Sequence, residues 1–152
     1  MLEFLSALGH NIVLVAALTA WAVAQIIKMI ITYRKTGTVN IEILVASGGM
    51  PSSHTSLVVA LATALALEEG VGSPLFAIAV VFASVVMYDA AGVRRAAGKQ
   101  AGVLNKLIQE LKAEHTIRDA RLKELLGHTP TEVWAGAALG VGIAYIIDML
   151  YH

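Results

Sequence analysis

The sequence predicts an all-α integral membrane bundle: about four transmembrane helices plus an amphipathic interfacial helix. Three observations carry this. Of the 152 residues, 57% are hydrophobic and only 14% are charged, with a mean hydropathy of +0.73. A soluble domain usually carries about 25% charged residues, and a chain this short has too much surface for its volume to hide so much apolar material from water. Long apolar stretches recur, several of them near the roughly 20 helical residues needed to cross the hydrocarbon. The basic residues, finally, are confined to two connections.

Taken in order, the first span covers about 12–32 and the second about 52–69, the shortest, which needs its flanking residues. The third covers about 74–93 and the fourth about 131–151, and a long loop fills about 94–130, within one domain over 1–152. The segment before the first span lacks a basic start and a cleavage site, so that span is expected to be retained. A short acidic turn, Glu68-Glu69-Gly70-Val71-Gly72-Ser73, joins spans two and three, and a short apolar segment, Ile41 to Ala46, lies between spans one and two. In the long loop, Val103, Leu104, Leu107, Ile108 and Leu111 recur at helical spacing opposite polar residues, which predicts an amphipathic helix over Ala101 to Ala113. Alanines crowd span two, and Gly136-x-x-x-Gly140 in span four lets two helix backbones approach closely. Packing within the chain is favoured there over a dimer contact.

All 11 Lys and Arg residues lie at the end of span one (Lys28, Arg34, Lys35) or in the long loop. The positive-inside rule puts both regions in the cytoplasm and the termini outside, in a multi-pass protein of the cell membrane. A phosphate site would skew the basic residues in the same way. Zero net charge gives no field for nucleic acid, and the absence of Cys excludes disulfides, thiolate nucleophiles and zinc–thiolate sites.

The residues able to do chemistry collect on that same face. Gly48-Gly49-Met50-Pro51-Ser52-Ser53-His54-Thr55 opens span two, and Gly127-His128-Thr129-Pro130-Thr131-Glu132 opens span four. Helix N-termini present unpaired N–H groups and partial positive charge, which suits phosphate. Thr129 to Glu132 also reads as a capping box with Pro130 at the first helical position. Pro51-Ser52-Ser53 is a plausible helix start in its own right.

Pro51-Ser52-Ser53-His54 resembles the Pro-Ser-Gly-His motif of type-2 phosphatidate phosphatases. His128-x-Pro130-Thr131-Glu132, followed by Ala135-Gly136, resembles the final His-x-x-x-Asp motif of the superfamily that also includes vanadium haloperoxidases. Lys28 and Arg34 approximate its Lys-x6-Arg-Pro motif. The likeness runs from about Lys28 to Gly140 and is closest to a short, divergent branch, in which segments such as Tyr88 to Arg95 occur. Ser53 stands where the motif has Gly and Glu132 where it has Asp. Lys28 and Arg34 are one residue closer than the motif has them, with no Pro following. The superfamily's arginine before the last His falls on Arg94 rather than Arg121, with an insertion between. Members commonly have six spans, so this chain is either a minimal bundle or one that works as a homo-oligomer.

The resemblance implies a metal-independent, cofactor-free lipid-phosphate phosphatase of phospholipid metabolism that works through a phosphohistidine. In it His128 is the nucleophile, Glu132 holds the other ring nitrogen, and His54 protonates the leaving alkoxide and then activates water. Lys28, Arg34, Arg94 and Arg95, with Ser52 and Ser53, bind the phosphate. A cytoplasmic site favours phosphatidylglycerol phosphate or phosphatidate as substrate. Asp89, a costly carboxylate within a span, pairs with Lys28 or Arg95, orients a phosphate-binding cation, or holds a metal. Bland readings stay open: Lys28 snorkels, and Arg34, Arg94 and Arg95 touch headgroups. So do a non-catalytic lipid- or phosphate-binding scaffold and a proton relay through Asp89, His54 and His128. His10, His115 and His152 have no partner at informative spacing.

Overall fold

A computed structural model describes residues 10–38, 48–113 and 127–152, apart from the side chains of Arg94 and residues 110–113. The expected segment 41–46 and the residues Arg118, Arg121 and Lys123 lie outside the described residues. The described chain is a helical membrane bundle with no strand among those residues.

Helix α1 (Ile12–Thr36) starts on Asn11, whose side chain accepts the Leu14 N–H at 3.0 Å, and stops at Gly37 with φ 70°. Its buried face repeats every fourth residue as Ala16, Ala20, Ala24 and Lys28, while Leu18, Trp21, Ile26, Ile30 and Tyr33 point outward. Helix α2 (Ser53–Glu69) is capped by Ser52 and packs on α1, on α3 and on α5. At 17 residues it is about 25 Å long, short for a span but within reach of one. Helix α3 (Pro74–Tyr88) begins with Ser73 as cap and Pro74 at the first turn, the placement in which proline's missing N–H costs nothing. It buries only Ala79 and Ala83 and turns Ile78, Val81, Phe82 and Val85 outward.

A π-helical turn, Asp89–Val93, continues α3 directly into α4 (Arg94–Ala113). The amphipathic helix therefore begins at Arg94, earlier than its apolar spacing indicates, and it is continuous with the third span. Helix α5 (Pro130–Tyr151) closes the bundle with Val133, Gly136, Gly140, Ala144 and Ile147 buried along one face. Among the described residues, three helices are long and apolar enough to cross a membrane: Ile12–Thr36, the run Pro74–Gln109, and Pro130–Tyr151.

Size is distributed as the bilayer dictates. Large apolar side chains face out, where lipid tails are as good a solvent as a core would be, and small residues fill the helix contacts. A cluster of Ala16, Ala20, Ala60, Ala64, Ala144 and Ile147 forms one half of the interior. The other half is polar: the largest fully buried side chains are Thr55, Ser52, Ser53 and Ser56. Gly136 and Gly140 make this contact possible. A Cβ on Gly136 would lie 2.5 Å from the Ser52 carbonyl oxygen, and one on Gly140 would lie 2.6 Å from that of Ser56. The Gly-x-x-x-Gly pair is thus used inside the chain, seating α5 on the first turns of α2.

Candidate active site

The polar half of the interior is assembled from the starts of α2 and α5, the lower part of α1 and the π-turn. At the head of α2 the Ser52 Oγ accepts the Thr55 N–H at 3.4 Å and the Thr55 hydroxyl at 3.0 Å. The Ser52 N–H donates to the Glu132 carbonyl at 3.0 Å, which ties the two sequence motifs together through their backbones. The Ser56 hydroxyl sits 2.9 Å from the Ser52 carbonyl and 3.0 Å from that of Gly136, stitching the helices one turn deeper.

The capping box at the head of α5 is complete. Thr129 Oγ1 accepts the Glu132 N–H at 3.4 Å, and Glu132 Oε2 accepts the Thr129 N–H at 3.1 Å. That same Oε2 lies 3.0 Å from Nδ1 of His128. His128 is 3% exposed, and its backbone N–H donates to the Ala90 carbonyl in the π-turn at 2.9 Å. Facing a carboxylate, Nδ1 is the nitrogen that donates, and in the neutral imidazole this leaves the lone pair on Nε2. The cap and the orientation of an imidazole are therefore one arrangement, which reconciles the two readings of Thr129 to Glu132.

Lys28 is 3% exposed, with the Glu132 carboxylate as a charge acting on its ammonium. Its stem runs beneath Gly49, where an added Cβ would meet the Lys28 Cγ and Cδ at 3.3 Å. Gly49 also holds φ 88°, a left-handed conformation that glycine adopts without strain. Lys28 is thus folded into the bundle rather than extended to the interface.

The structure brings together Lys28, Ser52, Ser53, His128 and Glu132. His54, the second residue of α2, is exposed at the same end. Arg34 and Arg95 are exposed, and among the described residues no hydrogen bond or ion pair joins either to the His128 cluster. Arg94 opens α4, with its side chain outside the description. Asp89 is half-buried as the first residue of the π-turn.

Thr55, Ser56 and the Ala90 carbonyl were not singled out from sequence. The first two lie one and two places beyond His54, where a buried helix face follows from the spacing of Ser52 and Ser56. The Ala90 contact is made by backbone and leaves no signature. A second group, Glu68, Asp148 and His152, gathers at the far ends of α2 and α5, with ligand-type atoms all within 4.8 Å of one another. It lies about 25 Å from the His128 end, the length of α2.

A family model described as the divergent PAP2 family matches residues 9–143. An uncharacterized membrane protein of Bacillus subtilis (strain 168), YuiD, is 40% identical over 152 residues, covering 93% of this chain and 96% of that one. No solved structure matches. With the match running through α1, both helix starts and most of α5, the chain belongs to the divergent PAP2 family.

Proposed function

We propose that this membrane protein is a phosphohydrolase that removes phosphate from a membrane lipid, a phosphomonoester or a diphosphate, through a phosphohistidine on His128. The observation that carries the reading is the buried His128 with Nδ1 held 3.0 Å from a carboxylate that is itself fixed by a helix cap. That is how an imidazole is kept in one tautomer and one orientation for attack.

In the first step the Nε2 lone pair attacks phosphorus, the phosphorus–oxygen bond to the lipid breaks, and His54 delivers a proton to the leaving alkoxide. In the second, His54 takes a proton from water, the hydroxide attacks phosphorus, the phosphorus–nitrogen bond breaks, and His128 is regenerated with release of inorganic phosphate. Two helix N-termini and the Lys28 ammonium favour the transferring anion. Glu132 stabilises the imidazolium character that develops on His128. The steps use no metal. A cytoplasmic-leaflet substrate such as phosphatidylglycerol phosphate or phosphatidate is the proposed class.

The exposed positions of Arg34 and Arg95 favour a second reading, a phosphate-binding protein that no longer turns over. Phosphate release separates the two. The purified protein is offered phosphatidate, phosphatidylglycerol phosphate and a polyprenyl diphosphate, with and without chelator, beside His128→Ala and His54→Ala. Release that survives chelator and disappears in both variants supports the hydrolase. No release from any lipid, or release indifferent to His128, sinks it.

A further inference from the structure

Between α2, α3 and α5 lies a cleft of about 420 Å³, walled by Val59 and Ala62 of α2, Ala83 and Met87 of α3, and Val141 and Tyr145 of α5. That volume falls in the range of small-molecule sites, about 300–1,000 Å³. It exists because α3 packs on α2 and leaves a gap towards α5, and because Ala62 and Ala83 are small. Two of the hydroxyls in its wall are bonded to their own helices. The Thr63 hydroxyl donates to the Val59 carbonyl at 2.8 Å, and that of Ser84 donates to the Val80 carbonyl at 2.8 Å. A wall that is mostly apolar, with these two hydroxyls donating to their own helices, offers little to water, an ion or a proton chain. It suits hydrocarbon.

The position of the cleft is as informative as its lining. Met87 is three residues from Ala90, whose carbonyl holds the His128 backbone. At the other end is Phe76. From Ala90 to Phe76 the helix descends about 21 Å at 1.5 Å per residue, which is deeper than the half-thickness of a hydrocarbon core about 30 Å across. We propose that this cleft holds one long acyl or prenyl chain of the phosphorylated lipid whose headgroup sits at His128, with Ala62 and Ala83 as its specificity-determining positions. The proposal rests on the lipid-phosphate reading of the His128 site, so its test needs a readout that does not require turnover.

That readout is photocrosslinking of the full-length protein in nanodiscs. One probe is phosphatidate with a diazirine in its acyl chain, and a phosphatidylcholine with the same chain is the control. Expected are insertions at cleft residues such as Thr63, Met87 and Val141, competed by unlabelled phosphatidate but not by phosphatidylcholine. Insertions confined to the outer residues Ile78, Val81 and Val85, or equal cleft labelling by both lipids, would overturn it.

A second arm uses kinetics. Ala83→Leu should raise KM for long-chain phosphatidate about tenfold, the scale of a misplaced methylene or more. Turnover of a soluble short phosphomonoester should stay within about twofold of wild type, which also reports folding. Phe76→Ala should move the preference to longer chains. Unchanged KM for the long-chain lipid in Ala83→Leu, with the soluble ester still turned over, refutes the cleft. Headgroup-dependent crosslinks without phosphate release from any ester would instead refute catalysis and leave the chain site standing.

Discussion

Replacing Gly136 by alanine puts a methyl carbon 2.5 Å from the Ser52 carbonyl oxygen and 3.1 Å from the Thr55 Cβ. The first neighbour is backbone and cannot rotate away. Ordinary contact begins at 3.4 Å, so α2 and α5 must part by about 0.9 Å at this level. Two interhelical hydrogen bonds cross the same seam, Ser52 N–H to the Glu132 carbonyl and the Ser56 hydroxyl to the Gly136 carbonyl, both at 3.0 Å. A displacement of that size stretches each to roughly 4 Å, beyond useful range. Losing them costs about 0.6–1 kcal/mol apiece, and the steric strain adds about 1–3 kcal/mol. Gly136→Ala should therefore lower stability by about 2–5 kcal/mol, measured as the shift in an SDS unfolding titration of the purified protein in mixed micelles. Gly142 is the internal control. A Cβ there meets nothing within 4 Å, so Gly142→Ala should be neutral or gain up to about 1 kcal/mol from helix propensity. A loss below about 0.5 kcal/mol in Gly136→Ala, or equal losses in both variants, would refute the claim that this glycine sets the α2–α5 distance.

Other expectations follow from single contacts. Thr129→Ala removes the cap oxygen and should cost about 1 kcal/mol in the same titration; no change would show that the capping box contributes nothing. Glu132→Gln should lower kcat by about 10²–10⁴-fold with little change in KM, because an amide no longer fixes the Nδ1–H tautomer; a pure KM effect would argue against an orienting role. Lys28→Met keeps the stem and removes a buried charge, so phosphate release should be lost with a stability change of no more than about 1 kcal/mol; lower stability with activity retained would make Lys28 structural. Single cysteines at Glu69 and Lys112, probed on intact cells with an impermeant thiol reagent, should label at 69 alone. Labelling at 112 would invert the orientation.

The starts of the helices were legible because they are chemical events confined to a few adjacent residues. Thr129-Pro130-x-Glu132 states the cap, the first turn and the direction in four letters, and the structure places α5 there. The use of Gly136 and Gly140 inside the chain was readable as a contact but not as a partner, since spacing specifies a face and not what covers it. The start of α4 was misplaced because the apolar pattern begins only at Ala101, whereas residues 94–100 are held helical by Arg, Ala, Lys and Gln, which favour helix without marking a face. The π-turn was invisible. One extra residue per turn changes which carbonyl is released, not the composition, and Asp89 to Val93 reads as the end of a span until Ala90 is seen to hold His128. Nor could spacing along one helix indicate that Lys28 lies under Gly49, a contact between segments about 20 positions apart.

The Glu132 that stands where the resembled superfamily motif has Asp then has a physical account. A capping box needs the side chain at the third helical position to reach back to the N–H of the cap residue, and a glutamate spans that distance more readily than an aspartate. Here one oxygen, Oε2, takes both the Thr129 N–H at 3.1 Å and the His128 Nδ1 at 3.0 Å. An imidazole positioned by a carboxylate that a helix start already holds needs no further residue to keep the carboxylate in place. The backbone bond from His128 to Ala90 anchors the main chain of the same residue to the π-turn, while Glu132 holds the ring. The difference from that motif is therefore compatible with an oriented His128, because Glu132 is held by the cap of α5.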